Sequence, residues 1–156
     1  MSKTLREAAE ALGSEFQAGD AESDARPQER RNVERLQRMI RTIAEGRFDE
    51  LRDQLDPDVE FEIVAPDEVP WVRHARGADE VAAVIEANFG SVDRQQPEPL
   101  ALVAQGDTVM VMSRETGHWR ESGRPYRVLN AQQFTFRDGR LAGYRSVAGL
   151  VDEQAS

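Results

Sequence analysis

Three short segments that contain glycine divide the second half of the chain, and they constrain its fold more than any other feature. They are Gln105-Gly106-Asp107, Glu121-Ser122-Gly123 and Arg137-Asp138-Gly139. Small and polar residues of this kind form the tight turns of β-hairpins. The stretches that they bound favour strands, and they comprise residues 101–105, 108–120, 124–137 and 140–150. The sequence therefore predicts that the last three stretches form an antiparallel meander.

Apolar residues in the first half recur at intervals of three and four, which is typical of helices with one buried face. The first such helix is predicted from Asn32 to about Gly46, with the stripe Val33, Leu36, Met39, Ile40 and Ile43. A second helix follows from Phe48 and ends at Asp56-Pro57, because proline disfavours helical geometry in the residue before it. A third is predicted from Ala78 to Phe89.

One strand separates the second predicted helix from the third. Val59, Phe61 and Ile63 alternate there with Glu60 and Glu62, a pattern that indicates a half-buried strand with its charges outward. Three helices and one strand, followed by a meander of long strands, specify an α+β domain. We expect its curved sheet to wrap around the helices.

Residues 1–30 differ in composition from the rest of the chain. Leu5, Leu12 and Phe16 belong to one helical stripe, and the residues after them are polar and acidic. Because a short isolated helix is marginal in water, we expect a flexible or weakly helical segment here. The alternative is that the stripe docks on a partner or on a second subunit. The folded domain is expected over residues 31–152.

The overall charge excludes several classes of partner. The chain has 20 basic and 29 acidic residues and a formal net charge of -9, which repels nucleic acids and anionic membrane surfaces. It has no cysteine, so disulfides, thiolate metal sites and a cysteine nucleophile are ruled out. No stretch approaches the ~20 apolar residues of a membrane span, and the N-terminus has no apolar stretch of signal-peptide length. We expect a cytoplasmic protein that contacts neither nucleic acid nor membrane.

Three strings of the chain together resemble the nuclear-transport-factor-2-like superfamily, and in particular its SnoaL-like and ketosteroid-isomerase-like branches. They are RMIRTIAEGRFDELRDQLDPDVEFEIVAP, RGADEVAAVIEANF and QFTFRDGRLAGYRSV, which fall within residues 32–151. The resemblance implies a cone, the cystatin-like α+β barrel, in which a curved antiparallel sheet is wrapped around three N-terminal helices. It also implies an apolar pocket inside the cone and homodimers that pair their sheets.

The best-known catalytic groups of that superfamily are absent from the positions that match. Where ketosteroid isomerases carry a tyrosine, a base and a second acid, this chain has Met39, Ile63 and Gln132. Limonene-type epoxide hydrolases use two aspartates bridged by an arginine, and the resemblance matches those positions to Glu115, Gly117 and Ser146, which do not supply two carboxylates. Ser146 also stands where SnoaL-like cyclases carry an acid on the final strand. A serine is no general base without a helper. Whether the chain is an enzyme therefore stays open at this point.

The resemblance also implies which side chains face the pocket. Most are apolar and a few are polar, which is the usual composition of a small-molecule site. Trp71 is expected at the mouth of the pocket, together with His74. The predicted ligand-binding residues are Met39, Ile63, Trp71, Asn130, Gln132, Phe134 and Ser146.

Three residues are the candidates for proton transfer, and each has a structural alternative. His74 could titrate near neutral pH, or it could belong to a solvated patch beside Arg73 and Arg76. Glu115 could be a buried acid or base, or it could pair with a neighbouring arginine, Arg114 or Arg145. Tyr144 could donate a hydrogen bond to a ligand carbonyl, or it could be a packing residue with a satisfied hydroxyl.

Other features predict a site without a metal or cofactor, and a homodimer. His74 and His118 lack metal-ligand spacing and a carboxylate cluster, so neither a metal nor another cofactor is expected. Met110 and Met112 are predicted on the outer face of the sheet. An apolar outer face favours a homodimer, unless the N-terminal segment covers it.

Two functional hypotheses follow. In the first, the domain binds a hydrophobic or aromatic small molecule, and in the catalytic form of this hypothesis it is an isomerase, cyclase or hydratase that acts by proton transfer. In the second, it is a non-catalytic dimeric assembly protein whose cup is plugged by its own side chains. An open cavity with polar groups pointing into it distinguishes the first from the second.

Overall fold

One curved six-stranded sheet forms the body of the molecule, with helices packed against it. The computed structural model describes residues 5–19 and 27–151, without the side chains of residues 13–19. The helices are α1 (Leu5–Gly19), α2 (Pro27–Ala44), α3 (Phe48–Asp53) and α4 (Ala78–Gly90). The strands are β1 (Leu55–Val64), β2 (His74–Arg76), β3 (Val92–Gln105), β4 (Thr108–Trp119), β5 (Pro125–Arg137) and β6 (Arg140–Leu150).

The strands lie in the order β2-β1-β6-β5-β4-β3. The three hairpins from β3 to β6 are antiparallel, and so is the pair of β1 with β2. The prediction of an α+β domain with a curved sheet and N-terminal helices is confirmed. Two details differ from the prediction of an antiparallel barrel. The sheet stays open at β2 and β3, and β1 pairs with β6 in parallel.

The predicted turns separate the strands as expected. Gly106, Gly123 and Gly139 each have a positive φ, between 57° and 79°, which L-residues with a side chain rarely adopt. These three glycines lie in the turns that follow β3, β4 and β5, and each turn leads into the antiparallel partner strand. The turn chemistry therefore accounts for the meander.

The helices cover one face of the sheet. α2 begins at Pro27, earlier than predicted, and buries Val33, Leu36 and Met39. Leu55 was predicted to belong to the second helix, but α3 ends at Asp53 and Leu55 begins β1. Among the described residues, no helix combines the length and the apolar character needed to cross a membrane.

α1 packs on α2 and on β3. Ala8, Ala9 and Leu12 are buried in this contact, and Gln37 Nε2 donates to the carbonyl of Ala9 at 2.9 Å. Two ion pairs add to it, namely Arg6 with Glu45 at 2.6 Å and Arg41 with Glu10 at 3.2 Å. Leu12 thus contacts its own domain. The side chain of Phe16 and residues 20–26 of the predicted flexible segment lie outside the described residues.

The two faces of the meander carry different side chains. On β4, Val109, Val111, Ser113 and Glu115 are buried beneath the helices, and the residues between them are exposed. The inner side chains of β5 and β6 continue this surface with Asn130, Phe134, Phe136 and Ser146. The inner face of the sheet and the helices together enclose the site described next.

Candidate functional site

A cavity of about 160 Å³ lies between the inner face of the sheet and the helices. Its walls come from α1, α2, α4, the loop before β2 and all the long strands. The wall is mostly apolar, and α1 contributes Leu5, Ala8 and Leu12 to it. The N-terminal helix is therefore part of the cavity wall.

Most of the predicted site residues line this cavity. They are Met39, Ile63, Trp71, Glu115, Asn130, Gln132, Phe134, Tyr144 and Ser146. Trp71 comes from a loop, and Asn88 of α4 fixes that loop, because its side-chain amide accepts from the Val72 N–H at 2.8 Å and donates to the Val72 carbonyl at 3.3 Å. Helix α4 thus holds the indole at the wall.

His74 lies elsewhere. It begins β2, where it pairs with Glu62 of β1, and its side chain is 74% exposed. Its Nδ1 atom is 4.0 Å from Glu62 Oε2. The predicted place of His74 at the pocket mouth assumed a loop, whereas the strand pairing turns the imidazole toward solvent and away from the cavity lining.

Tyr144 anchors a chain of polar groups on the cavity wall. Its ring stacks on Phe61 with 5.0 Å between the centroids and meets Phe134 edge-on at 5.1 Å. Gln132 Nε2 donates to the Tyr144 hydroxyl at 3.0 Å, and Ser113 Oγ donates to Gln132 Oε1 at 3.4 Å. Burial raises the pKa of Tyr144, so the phenol keeps its proton.

Asn130 adds an amide that is free to bind a ligand. Its residue is 6% exposed and lines the cavity. Among the described residues, its side chain forms no hydrogen bond. Because this amide lines the cavity, a ligand with a donor or acceptor group can form hydrogen bonds with it.

Glu115 is the acid of the site. It is 7% exposed and lies two residues from Ser113 on the same face of β4. Its Oε2 atom accepts a hydrogen bond from the Tyr126 hydroxyl at 2.5 Å, and its Oε1 atom accepts from Gln95 Nε2 at 3.0 Å. The arginine pairing considered as an alternative is not formed by Arg145, which lies 3.7 Å from Glu62 instead.

Neutral neighbours leave Glu115 in an unusual electrostatic state. Burial raises its pKa, and the hydrogen bonds from Tyr126 and Gln95 oppose that rise only in part. Raising the pKa of a carboxyl group by burial is one way in which proteins adapt it to act as a general acid or base. Glu115 is therefore the side chain in the cavity best suited to proton transfer.

Tyr126 and Gln95 were not predicted from the sequence. Gln95 lies on the first half of β3, which was not predicted as a strand, and Tyr126 reaches Glu115 diagonally across the β4–β5 hairpin. One sequence feature could have indicated the contact between Tyr126 and Glu115. Gly117, two residues after Glu115, leaves space opposite Tyr126 in the β4–β5 hairpin. Within the described residues, no group of three or more histidines and carboxylates is arranged to hold a metal ion.

Comparison with solved structures shows which fold this site occupies. An NTF2-like protein from Burkholderia xenovorans is similar with a TM-score of 0.64 and 22% identity, over 80% of this chain and 92% of that one. A candidate SnoaL-like polyketide cyclase from Jannaschia sp. CCS1 has a TM-score of 0.62 and 23% identity, over 81% and 90%. An LEH-like epoxide hydrolase from M. tuberculosis has a TM-score of 0.59 and 16% identity, over 76% and 82%.

Sequence comparison gives the family. None of the curated proteins compared with the chain matches it. The family model described as the SnoaL-like domain matches residues 36–144, which run from the middle of α2 into β6 and include Glu115, Asn130 and Tyr144. The chain, whose fold agrees with that match, belongs to the SnoaL-like domain family.

Proposed function

We propose that the domain binds a small, largely apolar molecule in the cavity and transfers a proton to or from it through Glu115. The observation that carries the proposal is the placement of this carboxyl group on an apolar wall, held by the neutral donors Tyr126 and Gln95. A buried acid without a cation partner is costly for a domain of this size. Such a cost is typical of functional sites.

The size of the cavity limits the ligand. Its volume of about 160 Å³ is close to that of an engineered cavity of ~150 Å³ that binds benzene. With α1 in place, the cavity therefore suits a molecule of about one ring. A steroid or a multi-ring polyketide would require α1 to move.

The polar groups on the wall limit the chemistry of the ligand. Asn130 offers a donor and an acceptor, and Tyr144 and Ser146 lie nearby on β6. Since Glu115 would repel an anion once it is ionised, we expect a neutral molecule with a carbonyl or hydroxyl group. Proton transfer beside such a group is the step that an isomerase, cyclase or hydratase requires.

A thermal-shift screen with single-ring ketones, phenols and cyclic terpenoids tests the proposal. A ligand at ~100 times its Kd should stabilise the fold by ~2.7 kcal/mol. Asn130→Leu and Glu115→Gln should weaken binding, whereas Glu98→Gln, which removes an exposed acid from β3, should not. Equal stabilisation of all three variants would place binding outside the cavity and contradict the proposal.

A second candidate function rests on the outer face of the sheet. Its exposed apolar side chains extend across neighbouring strands, because Met112 pairs with Ala131, which pairs with Val147, and Met110 pairs with Val103. Met110, Met112, Val103 and Val147 are 45% to 63% exposed. A patch of this kind favours a homodimer, and a non-catalytic assembly protein would need only this face.

A further inference from the structure

The Tyr126 ring lies across the β4–β5 hairpin in a position that a side chain on Gly117 would block. Tyr126 of β5 pairs directly with Gly117 of β4. A Cβ atom at Gly117 would be 2.7 Å from both the Cε1 atom and the hydroxyl oxygen of Tyr126. The ring therefore occupies the place where a side chain on Gly117 would be. This glycine is required by the contact itself, because its φ is not in the positive region.

Two side chains of β4 contact Tyr126, one on each side of Gly117. Glu115 and Trp119 are two residues before and two residues after Gly117, so their side chains lie on the same face of β4. The Tyr126 hydroxyl donates to Glu115 Oε2, and its ring stacks on Trp119 with 4.0 Å between centroids and 16° between planes. Trp119 meets Trp71 of the cavity wall edge-on at 5.9 Å.

We propose that Tyr126 is the positioning residue for the Glu115 carboxyl group, and that Gly117 and Trp119 of β4 form the seat that holds its ring. The proposal rests on the proposed function of Glu115 in the cavity. It differs from a packing role in one respect: the hydroxyl, and not only the ring, is required.

The hydrogen bond from Tyr126 to Glu115 determines in which direction the pKa of Glu115 changes when the bond is lost. Burial, together with the Glu115 carboxylate, raises the pKa of Tyr126, so the phenol stays protonated and can only donate to an ionised Glu115. Donation stabilises the carboxylate, and loss of it disfavours the ionised form. Among the described residues, the other groups that interact with Glu115 are Gln95 from β3 and Tyr144 from β6, and both are neutral.

The titration of Glu115 in the ligand-free protein, followed by carbon NMR of its carboxyl group, tests the proposal without any ligand. Tyr126→Phe keeps the ring and removes the hydroxyl, so the Glu115 titration should move to higher pH. Gly117→Ala should shift it in the same direction by displacing the ring. The Glu115→Gln variant identifies the signal.

A matched control separates positioning from the general effect of an added methyl group. Gly149→Ala adds a Cβ to a strand glycine with nothing within 4 Å, and it should not move the titration. An unchanged Glu115 titration in Tyr126→Phe would overturn the proposal. If the titration shifts while Glu115→Gln binds the screened ligands as tightly as the wild type does, the positioning holds and the proposed function fails.

Discussion

Phe61 and Tyr144 are direct partners across the parallel pair of β1 and β6, and their rings stack with planes 20° apart. The contact fixes the ring, and the hydroxyl then meets the amide of Gln132. Tyr144→Phe should keep the stack and leave that amide without its acceptor. We expect a loss of about 1–3 kcal/mol in the free energy of unfolding, measured in urea. Tyr144→Leu should lose more, since it also removes the stack. Equal stability of Tyr144→Phe and the wild type would contradict the importance of the hydroxyl.

Asp56 and Arg137 should make the fold sensitive to acid. Arg137 donates two hydrogen bonds to the Asp56 carboxylate, at 2.9 and 3.3 Å, and this contact lowers the pKa of Asp56 below its ordinary value of 3.8. A lowered pKa stabilises the folded state above the ordinary value, and the contribution disappears as the pH falls through the folded pKa. Asp56→Asn should therefore be less stable at pH 7, with a difference that vanishes in strong acid. A difference that persists in acid would show that the ionised carboxylate is not its cause.

Ionisation of Glu115 should lower the stability of the folded state, whereas ionisation of Asp56 raises it. Burial raises its pKa above the ordinary value of 4.5, so the folded state is destabilised relative to the unfolded one as the pH rises through and beyond that value. Glu115→Gln should be more stable than the wild type at neutral pH, and the gain should shrink below pH 4.5. Urea unfolding curves at several pH values give the free energy of unfolding of both Asp56→Asn and Glu115→Gln. A Glu115→Gln protein that is less stable at every pH would contradict this electrostatic account.

Helix α1 should be required for the small size of the cavity. Leu12 is 2% exposed and lines the cavity, so Leu12→Ala should cost about 2–5 kcal/mol and enlarge the space available to a ligand. The variant should then be stabilised by two-ring compounds that do not stabilise the wild type in a thermal-shift assay. Val72→Ala, at a residue 44% exposed, is the control and should change stability by less than about 0.5 kcal/mol. A Leu12→Ala protein with wild-type stability would mean that α1 does not pack as described.

The outer face should control association. If the exposed methionines pair two copies of the chain, replacing both Met110 and Met112 with lysine places four charges in the interface and should yield monomers. Sedimentation equilibrium of the wild type and the double variant measures this. Arg127→Lys, a charge-preserving change on β5, is a neutral comparison. A monomeric wild type would remove the support for an assembly function.

The sequence predicted the meander because turns and alternation are local signals, but the two edges of the sheet were not predicted in full. Proline is rare in central strands, and Pro97 and Pro99 are tolerated in β3 because it is an edge strand. The first half of β3 was missed, and Gln95 with it. β2 spans three residues, and its pairing depends on β1 rather than on any pattern of its own. His74 was misplaced for that reason.

Some residues of the site could be predicted from the sequence, and others could not. Glu115, Asn130 and Tyr144 could be placed because the resemblance to the superfamily indicates which face of each hairpin is the inner one, and strand alternation then assigns these residues to it. The partners of Glu115 could not, since a diagonal contact between strands depends on exact register and on the space left by Gly117. The chemistry of a site is decided by such contacts, which no periodic pattern encodes.

The parallel pairing of β1 with β6 has a consequence for synthesis. β1 leaves the ribosome before the other strands of the sheet and its partner β6 leaves after them, so the wall that carries Phe61 and Tyr144 cannot close before β6 has emerged. Contacts between segments so distant in sequence form slowly. Until then the inner faces of the earlier strands stay exposed, and the closed cavity that a ligand would occupy does not exist. A ligand of the finished cavity can therefore rescue a weakened mature protein, but it cannot help a nascent chain that still lacks β6.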